Sequence, residues 1–306
     1  MAGAAEPTDC TIIIVGYNSA DSVEGVLDSL VGAASGIAIK CVLVDNQSTD
    51  ETVEIARRRS DVEVIEAGQN LGYSGAINLG RRVADPQSAV LVLNPDLVLE
   101  RDAIKHLYEA LKDPGVGAAV PKLLTADGEL YPTLRLEPSI TRALGEALVG
   151  SRLPQRPDWL SETVRDVSAY DVAHDAAWAA GAAMIISAEC NRAVGDWDDT
   201  RFFLYSEETD YARRVRQAGY RLRYVPAAIA RHEEGGSGRS SALAALLAVN
   251  RIRFYEKYHR PPATWLFRLL VILHYALRAH DVSNRRALSM LVRRRKWSEL
   301  PGGIPG

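Results

Sequence analysis

The sequence predicts an α/β fold, with a mixed, mostly parallel, Rossmann-like sheet flanked by helices and a helical C-terminal extension. Three observations support this fold class. Apolar, β-branched runs alternate with segments of helical spacing over residues 11–96, polar clusters follow several of these runs, and the spacing from residue 250 onward is helical. Such alternation of strands and helices is typical of a parallel sheet that is covered on both faces.

The elements follow one another along the chain. Strands are predicted at residues 11–15, 39–44, 62–65 and 89–93, and helices at residues 22–30, 51–59 and from residue 70. Residues 127–175 are rich in Pro, Arg and acidic residues and are predicted to form a loop-rich insertion. A small-residue turn within residues 178–186 leads into another strand, and a helix is predicted at residues 211–218.

Composition limits the class of protein. The 306 residues allow one large α/β domain with an appendage, or two modest domains, and 47% hydrophobic and 25% charged residues are typical of a globular protein. Cys10, Cys41 and Cys190 form no CxxC pair, which favours a reducing compartment over a disulfide framework or a structural zinc site. The first seven residues lack the pattern of a secretory signal.

Charge is distributed unevenly along the chain. Residues 251–306 hold twelve Lys or Arg and three Asp or Glu, a net charge of +9, whereas residues 1–250 carry −12. A basic tail on an acidic body predicts contact with an anionic surface. Because no nucleic-acid-binding motif is present, nucleic acid is not expected as a partner, and a membrane surface is preferred.

The strand at residues 89–93 ends abruptly in Asn94-Pro95-Asp96. These residue types also form turns, so a plain turn is the alternative interpretation. However, ligands of open α/β sheets bind beyond the C-terminal ends of strands, and a carboxylate there can hold a divalent cation and, through it, a diphosphate. Asn18 and Asp45 follow two neighbouring strands, so both are expected to converge with Asp96.

Two further clusters could carry chemistry. An aromatic run, Phe202-Phe203-Leu204-Tyr205-Ser206, leads into Glu207, Glu208 and Asp210. Helix capping is the simple explanation for these acids, but a carboxylate beside aromatic residues is also a candidate general base. His232 precedes a glycine-rich loop that contains Ser237, whose backbone amides could approach phosphate oxygens. A histidine with only a structural role is the alternative.

Taken in order, these segments resemble the GT-A glycosyltransferases of family 2, which transfer a sugar from a nucleotide donor with inversion. The matching segments are Val15-Gly16-Tyr17-Asn18, Val44-Asp45-Asn46-Gln47-Ser48-Thr49-Asp50, Asn70-Leu71-Gly72-Tyr73, Asn94-Pro95-Asp96, Gly181-Ala182, Glu207-Glu208-Thr209-Asp210 and His232. The chain looks most similar to bacterial rhamnosyltransferase-type members of cell-wall and polysaccharide assembly. The segment at residues 128–139, with Arg135, weakly supports that branch.

The resemblance implies roles for the matching residues. Asp45 resembles the carboxylate that reads the pyrimidine ring, and Asp96 and His232 resemble ligands of Mg²⁺ or Mn²⁺ on the donor diphosphate. Glu208 resembles the base that deprotonates the acceptor hydroxyl, with Glu207 or Asp210 as substitutes. The implied donor-binding residues are Val15, Tyr17, Asn18, Asp45, Asn70, Gly72, Asn94, Asp96 and Gly181, and those of the acceptor or phosphate loop are Arg135, Trp178 and Ser237. Asn94 and Glu208 depart from the family pattern, since both positions usually hold Asp.

The apolar segment at residues 265–278 is too short to span a membrane and is interrupted by Arg268 and His274. It is predicted either to pack on the catalytic domain with a solvated basic face or to rest on anionic lipid. The expected organisation is a catalytic domain at residues 1–240, with a nucleotide-sugar half at 1–125 and an acceptor half at 126–240. A helical, basic extension at residues 241–306 follows.

The expected function is an inverting, metal-dependent, non-processive glycosyltransferase. The expected donor is a pyrimidine nucleotide sugar, first dTDP-rhamnose and second a UDP-hexose, and the expected acceptor is a glycan or glycolipid, foremost a polyprenyl-diphosphate-linked glycan. The expected location is cytoplasmic, peripheral on the inner face of the plasma membrane.

Two other classes of protein compete with this expectation. A dinucleotide-binding oxidoreductase would need GxGxxG after the first strand, which is absent. A non-catalytic scaffold or lipid-binding protein is the non-enzyme alternative, motivated by Asn94 and Glu208.

Overall fold

The structure is a computed structural model that describes residues 8–150, 153, 156–232 and 240–304. Within these residues a ten-stranded mixed sheet forms the centre of the molecule, and two short strands pair separately. The strands are β1 (Cys10–Gly16), β2 (Ile39–Asp45), β3 (Val62–Glu66), β4 (Ala89–Leu93), β5 (Leu97–Leu99), β6 (Val116–Thr125), β7 (Leu130–Tyr131), β8 (Leu134–Arg135), β9 (His174–Ala176), β10 (Trp178–Ala179), β11 (Ala183–Ile186) and β12 (Arg221–His232).

Ten α-helices occur in the described part of the chain. They are α1 (Val23–Ala34), α2 (Thr52–Arg57), α3 (Gly72–Arg81), α4 (Ala103–Ala110), α5 (Ile140–Leu148), α6 (Ala188–Val194), α7 (Glu207–Gln217), α8 (Ser241–Tyr258), α9 (Pro261–Ala276) and α10 (Val282–Val292). None of these described helices is long and apolar enough to cross a bilayer.

The strand order β3-β2-β1-β4-β11-β6-β12-β5 places the four predicted strands side by side. They pair in parallel, with Gly16 opposite Asp45 and Ile14 opposite Leu93. The C-terminal ends of β1, β2 and β4 therefore share one edge of the sheet. Beyond β4 the sheet becomes mixed, because β11 runs antiparallel to both of its neighbours.

Alternation along β1 explains the two cores of the domain. Ile12 and Ile14 face the core that contains α1 and α4, whereas Ile13 and Val15 face the core that contains α3 and α7. Successive side chains of a strand point to opposite faces, so an unbroken apolar run is what a sheet buried on both faces requires. Each fully buried Ile contributes on the order of 1.5–3 kcal/mol.

The C-terminal helices form a third core together with α5. Phe267 and Trp297 are fully buried in it, and Leu204 and Tyr205 pack against it from the loop that precedes α7. The extension is therefore packed on the domain beside that loop.

Several elements differ from the sequence-based expectation. The insertion at residues 127–175 contains α5, whose Ser139 cap accepts a hydrogen bond from the Arg142 N–H and whose Gly145 packs closely on the Leu160 carbonyl. Its composition concealed a helix that depends on this tertiary contact. Helix α8 begins at Ser241, nine residues before the point from which the sequence shows helical spacing.

Helix α7 also begins earlier, at Glu207 rather than at residue 211. Tyr205 and Ser206 both have φ of 70°, a left-handed conformation that ends the preceding loop abruptly. The acids that were expected to precede the helix therefore form its first turn, where the helix dipole favours them.

Candidate active site

A cavity of about 540 Å³ opens beside the C-terminal end of β4. Several residues predicted from the sequence line it, namely Asn94, Arg135, Trp178, Gly181, Glu207, Glu208 and His232. They come from both halves of the predicted catalytic domain. The cavity thus joins the sheet edge to the first turn of α7.

Two carboxyl groups enter this cavity from the start of α7. Glu207 is only 5% exposed, and one oxygen of Glu207 and one of Glu208 are buried without a hydrogen-bond partner among the described residues. A Cβ on Gly181 would lie 3.1 Å from Cβ of Glu208, so this glycine lets the chain before β11 pass close to the glutamate. The backbone places both carboxyls where water is scarce.

Burial changes the protonation of this pair. It raises the pKa of Glu207 well above its ordinary range, and the charge of Glu208 raises it further. Burial also raises the pKa of Glu208, but its own backbone N–H and that of Gly181 favour the charged form. Because adjacent carboxyls in a dry cavity resist joint ionisation, Glu207 keeps its proton to higher pH and Glu208 ionises first.

Asp96 and His232 form a second polar pair, of which His232 lines the cavity. His232 Nε2 lies 3.4 Å from Asp96 Oδ2, while Asp96 Oδ1 is buried without a hydrogen-bond partner among the described residues. Burial raises the pKa of Asp96, and a charge on His232 opposes that shift. Tyr131 stacks on the His232 ring with centroids 5.8 Å apart.

This pair fits the chemistry of a divalent cation. A carboxylate oxygen with no other partner and an imidazole nitrogen are suitable ligands for Mn²⁺, and the carboxylate also suits Mg²⁺. No cluster of three or more His, Cys, Asp or Glu with metal-site geometry occurs in the described part of the chain. Asp96 and His232 alone would leave most coordination positions to oxygen atoms of a substrate or water.

Asn18 and Asp45 meet at the neighbouring strand ends. Both Asp45 carboxylate oxygens lie 3.2 Å from the Ser48 N–H, and Asn18 Oδ1 accepts a hydrogen bond from the Thr49 N–H at 2.8 Å. One turn therefore holds both side chains. Asp96 lies on the same sheet edge but makes its contact with His232 instead.

A chain of contacts connects this edge with the loop before α7. Asn46 Nδ2 donates to Asn70 Oδ1 at 3.0 Å, and the Tyr73 N–H donates to the Phe203 carbonyl at 2.7 Å. Gly72 has φ of 72°, and a Cβ there would lie 2.2 Å from the Phe203 oxygen. Only glycine allows this close approach.

Tyr73 lies close enough to the Glu207–Glu208 pair and to Asp96 for the charge of each to affect it. Its hydroxyl donates to Asn94 Oδ1 at 2.8 Å. Burial raises the pKa of Tyr73 well above its ordinary value, and the charges of Glu207, Glu208 and Asp96 add to this effect. The hydroxyl thus stays protonated as a donor.

The remaining predicted residues have varied positions. Val15 is buried in the core, and Tyr17 is 52% exposed. Trp178 is 8% exposed and donates from Nε1 to the Leu136 carbonyl at 3.0 Å. Ser237 lies outside the described residues.

Asp210 does not line the cavity. It is fully buried and accepts from Lys257 Nζ at 2.6 Å, the Tyr258 hydroxyl at 2.7 Å and Arg214 Nε at 2.8 Å. Its charge is therefore compensated, and it connects α7 to α8.

Some cavity residues were missed by sequence reasoning. They are Tyr73, Tyr131, Glu162, Leu247 and Arg251. Arg251 of α8 donates to Glu162 at 2.8 Å, so the C-terminal extension forms part of the cavity wall. Tyr73 stands in the matching segment Asn70-Leu71-Gly72-Tyr73 but was not predicted as a site residue, whereas the other four carry no local signal.

The model of the family described as glycosyl transferase family 2 matches residues 11–166. The chain belongs to glycosyl transferase family 2. This glycosyltransferase is 30% identical over 301 residues to N-acetylglucosaminyl-diphospho-decaprenol L-rhamnosyltransferase of Mycobacterium tuberculosis, and the match covers 92% of this chain and 97% of the relative. The predicted family and its similarity to rhamnosyltransferases are confirmed.

Two solved structures resemble this family 2 glycosyltransferase. The mannosyltransferase PcManGT from Pyrobaculum calidifontis, in complex with GDP-Man and Mn²⁺, has a TM-score of 0.56 and 18% identity, covering 96% of this chain and 77% of that one. GalNAc-T7 with UDP, GalNAc and Mn²⁺ has a TM-score of 0.64 and 14% identity, covering 97% of this chain and 58% of that one. The predicted GT-A architecture is confirmed.

Proposed function

We propose that this enzyme transfers a sugar with inversion, in a metal-dependent reaction, from a pyrimidine nucleotide sugar to a polyprenyl-diphosphate-linked glycan. The observation that carries the proposal is the cavity that both Glu208 and His232 line, with Asp96 in contact with His232. One group can take a proton and the other can hold a cation. Rhamnose from dTDP-rhamnose is the first candidate, because the mycobacterial relative is a rhamnosyltransferase.

Glu208 is proposed as the general base. The acceptor hydroxyl oxygen forms a bond to the anomeric carbon while the bond to the diphosphate oxygen breaks, and the hydroxyl proton passes to the Glu208 carboxylate. Attack from the face opposite the diphosphate inverts the anomeric centre. Glu207 stays protonated beside it, so that a single negative charge is present at the base.

Asp96 and His232 are proposed to hold Mg²⁺ or Mn²⁺. A bound divalent cation would supply an electrophile that neutralises charge on the departing diphosphate. Both similar structures were solved with Mn²⁺. Asp45 is proposed to accept a hydrogen bond from the N–H of the pyrimidine ring.

The other predicted residues keep proposed roles in substrate binding. Arg135 and Trp178 are proposed on the acceptor side of the cavity. Val15, Tyr17, Asn18, Asn70, Gly72, Asn94 and Gly181 are proposed to shape the donor site. We also propose that residues 1–125 form the nucleotide-sugar half, residues 126–240 the acceptor half and residues 241–306 a helical extension. The proposed location is the cytoplasmic face of the plasma membrane.

A UDP-hexose is the alternative donor, as also proposed from the sequence. A non-catalytic scaffold is not favoured, because family membership and the mycobacterial relative support a glycosyltransferase.

Transfer by the purified protein tests the proposal. It would be incubated with labelled dTDP-rhamnose, UDP-glucose or UDP-galactose, a prenyl-diphosphate-linked N-acetylglucosamine acceptor, and Mn²⁺ or EDTA. We expect a rhamnosylated product with dTDP-rhamnose that EDTA abolishes. Product from a UDP-hexose alone would replace the donor assignment, and the absence of transfer from every donor would overturn the proposal.

A further inference from the structure

Helix α9 presents an apolar face outward. Trp265 is 76% exposed, Leu266 44% and Leu269 60%, and Leu277 just after the helix is 55% exposed. In α9, which the structure describes completely, every exposed residue is apolar. A surface helix ordinarily has its polar residues outward, whereas the outward face of α9 is apolar like its buried face, which includes Phe267 and Leu270.

The polar side chains near α9 are used inside the fold. Arg268 Nη2 donates to the Leu291 carbonyl at 2.7 Å, and His274 Nδ1 lies 2.9 Å from the Glu146 carbonyl. Burial lowers the pKa of His274 to about 4, so the imidazole is neutral at neutral pH. Arg278, which follows the helix, donates to the Ala147 carbonyl at 3.1 Å. The expectation of a solvated basic face on this segment is therefore wrong.

The neighbouring helix α5 also exposes apolar side chains. Helix α5 packs beside α9 through the contact of His274 with Glu146. It exposes Leu144 to 37% and Leu148 to 52%. Exposed apolar surface that spans two helices marks an interaction site more often than does an isolated exposed residue.

Arginines surround both ends of α9. Arg260 precedes the helix, and Arg293 and Arg295 follow α10, which ends beside Arg268. At the other end, Arg285 Nη1 donates to the Ala279 carbonyl. These four arginines are exposed.

The three acidic residues at positions 251–306 already interact with groups of the same chain. Glu256 pairs with Arg294, Glu299 lies 3.7 Å from Lys296, and Asp281 caps α10. Residues 251–306 keep a net charge of +9. The surface around α9 is therefore both apolar and cationic.

We infer that the outer face of α9 docks on an anionic lipid bilayer, with Trp265 and Leu269 entering the interface and the arginines at both ends contacting lipid phosphates. Apolar side chains with flanking arginines are what an interfacial helix requires. A second copy of the chain is a poorer occupant, because it would bring two +9 segments together. The inference rests on the proposed lipid-linked acceptor, and α8 connects the two sites, since it packs on α9 and contributes Leu247 and Arg251 to the cavity.

Vesicle sedimentation tests this inference. The full chain would be mixed with vesicles of phosphatidylcholine, with and without phosphatidylglycerol. We expect binding to the anionic vesicles, at least tenfold weaker binding for Trp265→Ser/Leu269→Ser, and intermediate binding for Arg293→Gln/Arg295→Gln or at high salt. The control Val31→Ser/Val167→Ser alters side chains of similar exposure on other surfaces and should bind as the unaltered protein does.

Unchanged binding of both α9 and arginine variants, or no binding by the unaltered protein, would overturn the inference. The inference would also be overturned if the unaltered protein were a dimer in size-exclusion chromatography and Trp265→Ser/Leu269→Ser were a monomer that bound vesicles equally well. A second copy of the chain would then be the occupant of this face. Transfer to a water-soluble acceptor separates the two proposals. The α9 variant should retain transfer to this acceptor. If the unaltered protein showed no such transfer, the proposed function would be contradicted, but the result on vesicle binding would still stand.

Discussion

At the residue scale, Glu207 and Glu208 are adjacent in the chain but differ in their surroundings. Glu207 is almost completely buried, whereas Glu208 lies against Gly181, whose backbone N–H favours its charged form. The difference favours a proton on Glu207 and supports the proposed role of Glu208 as the base. Such separation of two neighbouring carboxyls is a common way to obtain a base in a dry cavity.

The two glutamates should therefore respond differently to the same substitution. Glu208→Gln is expected to lower kcat/KM by about 10²–10⁴-fold, because it removes the proton acceptor. Glu207→Gln imitates the protonated form and should retain most of the activity. Initial rates of transfer measure both, and a greater loss in Glu207→Gln would reverse the assignment.

The pH profile of kcat/KM gives a second prediction. If Glu208 is the base, activity requires its ionised form, and because burial raises its pKa, activity should rise with pH through a limb above the ordinary range of a glutamate. The charge of Arg135 lowers that pKa, so Arg135→Gln should move the limb to higher pH. A limb that stays in place in Arg135→Gln would contradict the coupling.

Stability should depend on pH through Glu207. Because its pKa is higher in the folded protein than in the unfolded chain, folding binds a proton, and stability falls as pH rises above about 4.3. Glu207→Gln should weaken this fall and raise Tm at neutral pH. Thermal unfolding from about pH 4 to pH 8 measures the slope, and equal slopes in both proteins would be inconsistent with this account.

At the element scale, the loop before α7 is held from two sides. Tyr73 at the start of α3 donates to the Phe203 carbonyl, and Asn250 of α8 donates to the carbonyls of Leu204 and Tyr205 at 2.8 and 3.2 Å. Asn250 is fully buried. These contacts support the left-handed residues that aim the first turn of α7 into the cavity.

Asn250→Leu should remove the side-chain donor that contacts both carbonyls. We expect a loss of about 1–3 kcal/mol in the free energy of unfolding and a kcat that falls more than KM changes. The control Asn284→Leu removes a donor to the Arg278 carbonyl, away from the loop, and should affect stability without lowering kcat. An equal kcat in the two variants at a temperature where both are folded would argue against a positioning role for Asn250.

Local patterns predicted some elements well and others poorly. The strands β1 to β4 were predictable because their apolar runs are long and bounded, and Asp45 and Asp96 follow directly from them. Helix α5 was not, because its stability depends on Gly145 meeting Leu160, which no local pattern records. Arg251 likewise pairs with Glu162 across 89 residues, a contact set by the tertiary fold alone.

At the scale of the whole molecule, the C-terminal helices contribute to the wall of the candidate active site as well as to the surface. Lys257 and Tyr258 of α8 anchor Asp210 of α7, and Arg251 lines the cavity. The outward face of α9 lies on the same helical unit. Sequence predicted the basic charge of this unit but not the inward direction of Arg268 and Arg278.

In the proposed mechanism, Asp96 and His232 hold the cation of the donor, whereas Glu208 acts only on the acceptor. The most direct measurement is the affinity for dTDP-rhamnose, with and without Mn²⁺, of the unaltered protein, Asp96→Asn and Glu208→Gln. We expect Mn²⁺ to strengthen binding in the unaltered protein and in Glu208→Gln but not in Asp96→Asn. Equal enhancement by Mn²⁺ in Asp96→Asn, or loss of that enhancement in Glu208→Gln, would contradict the account.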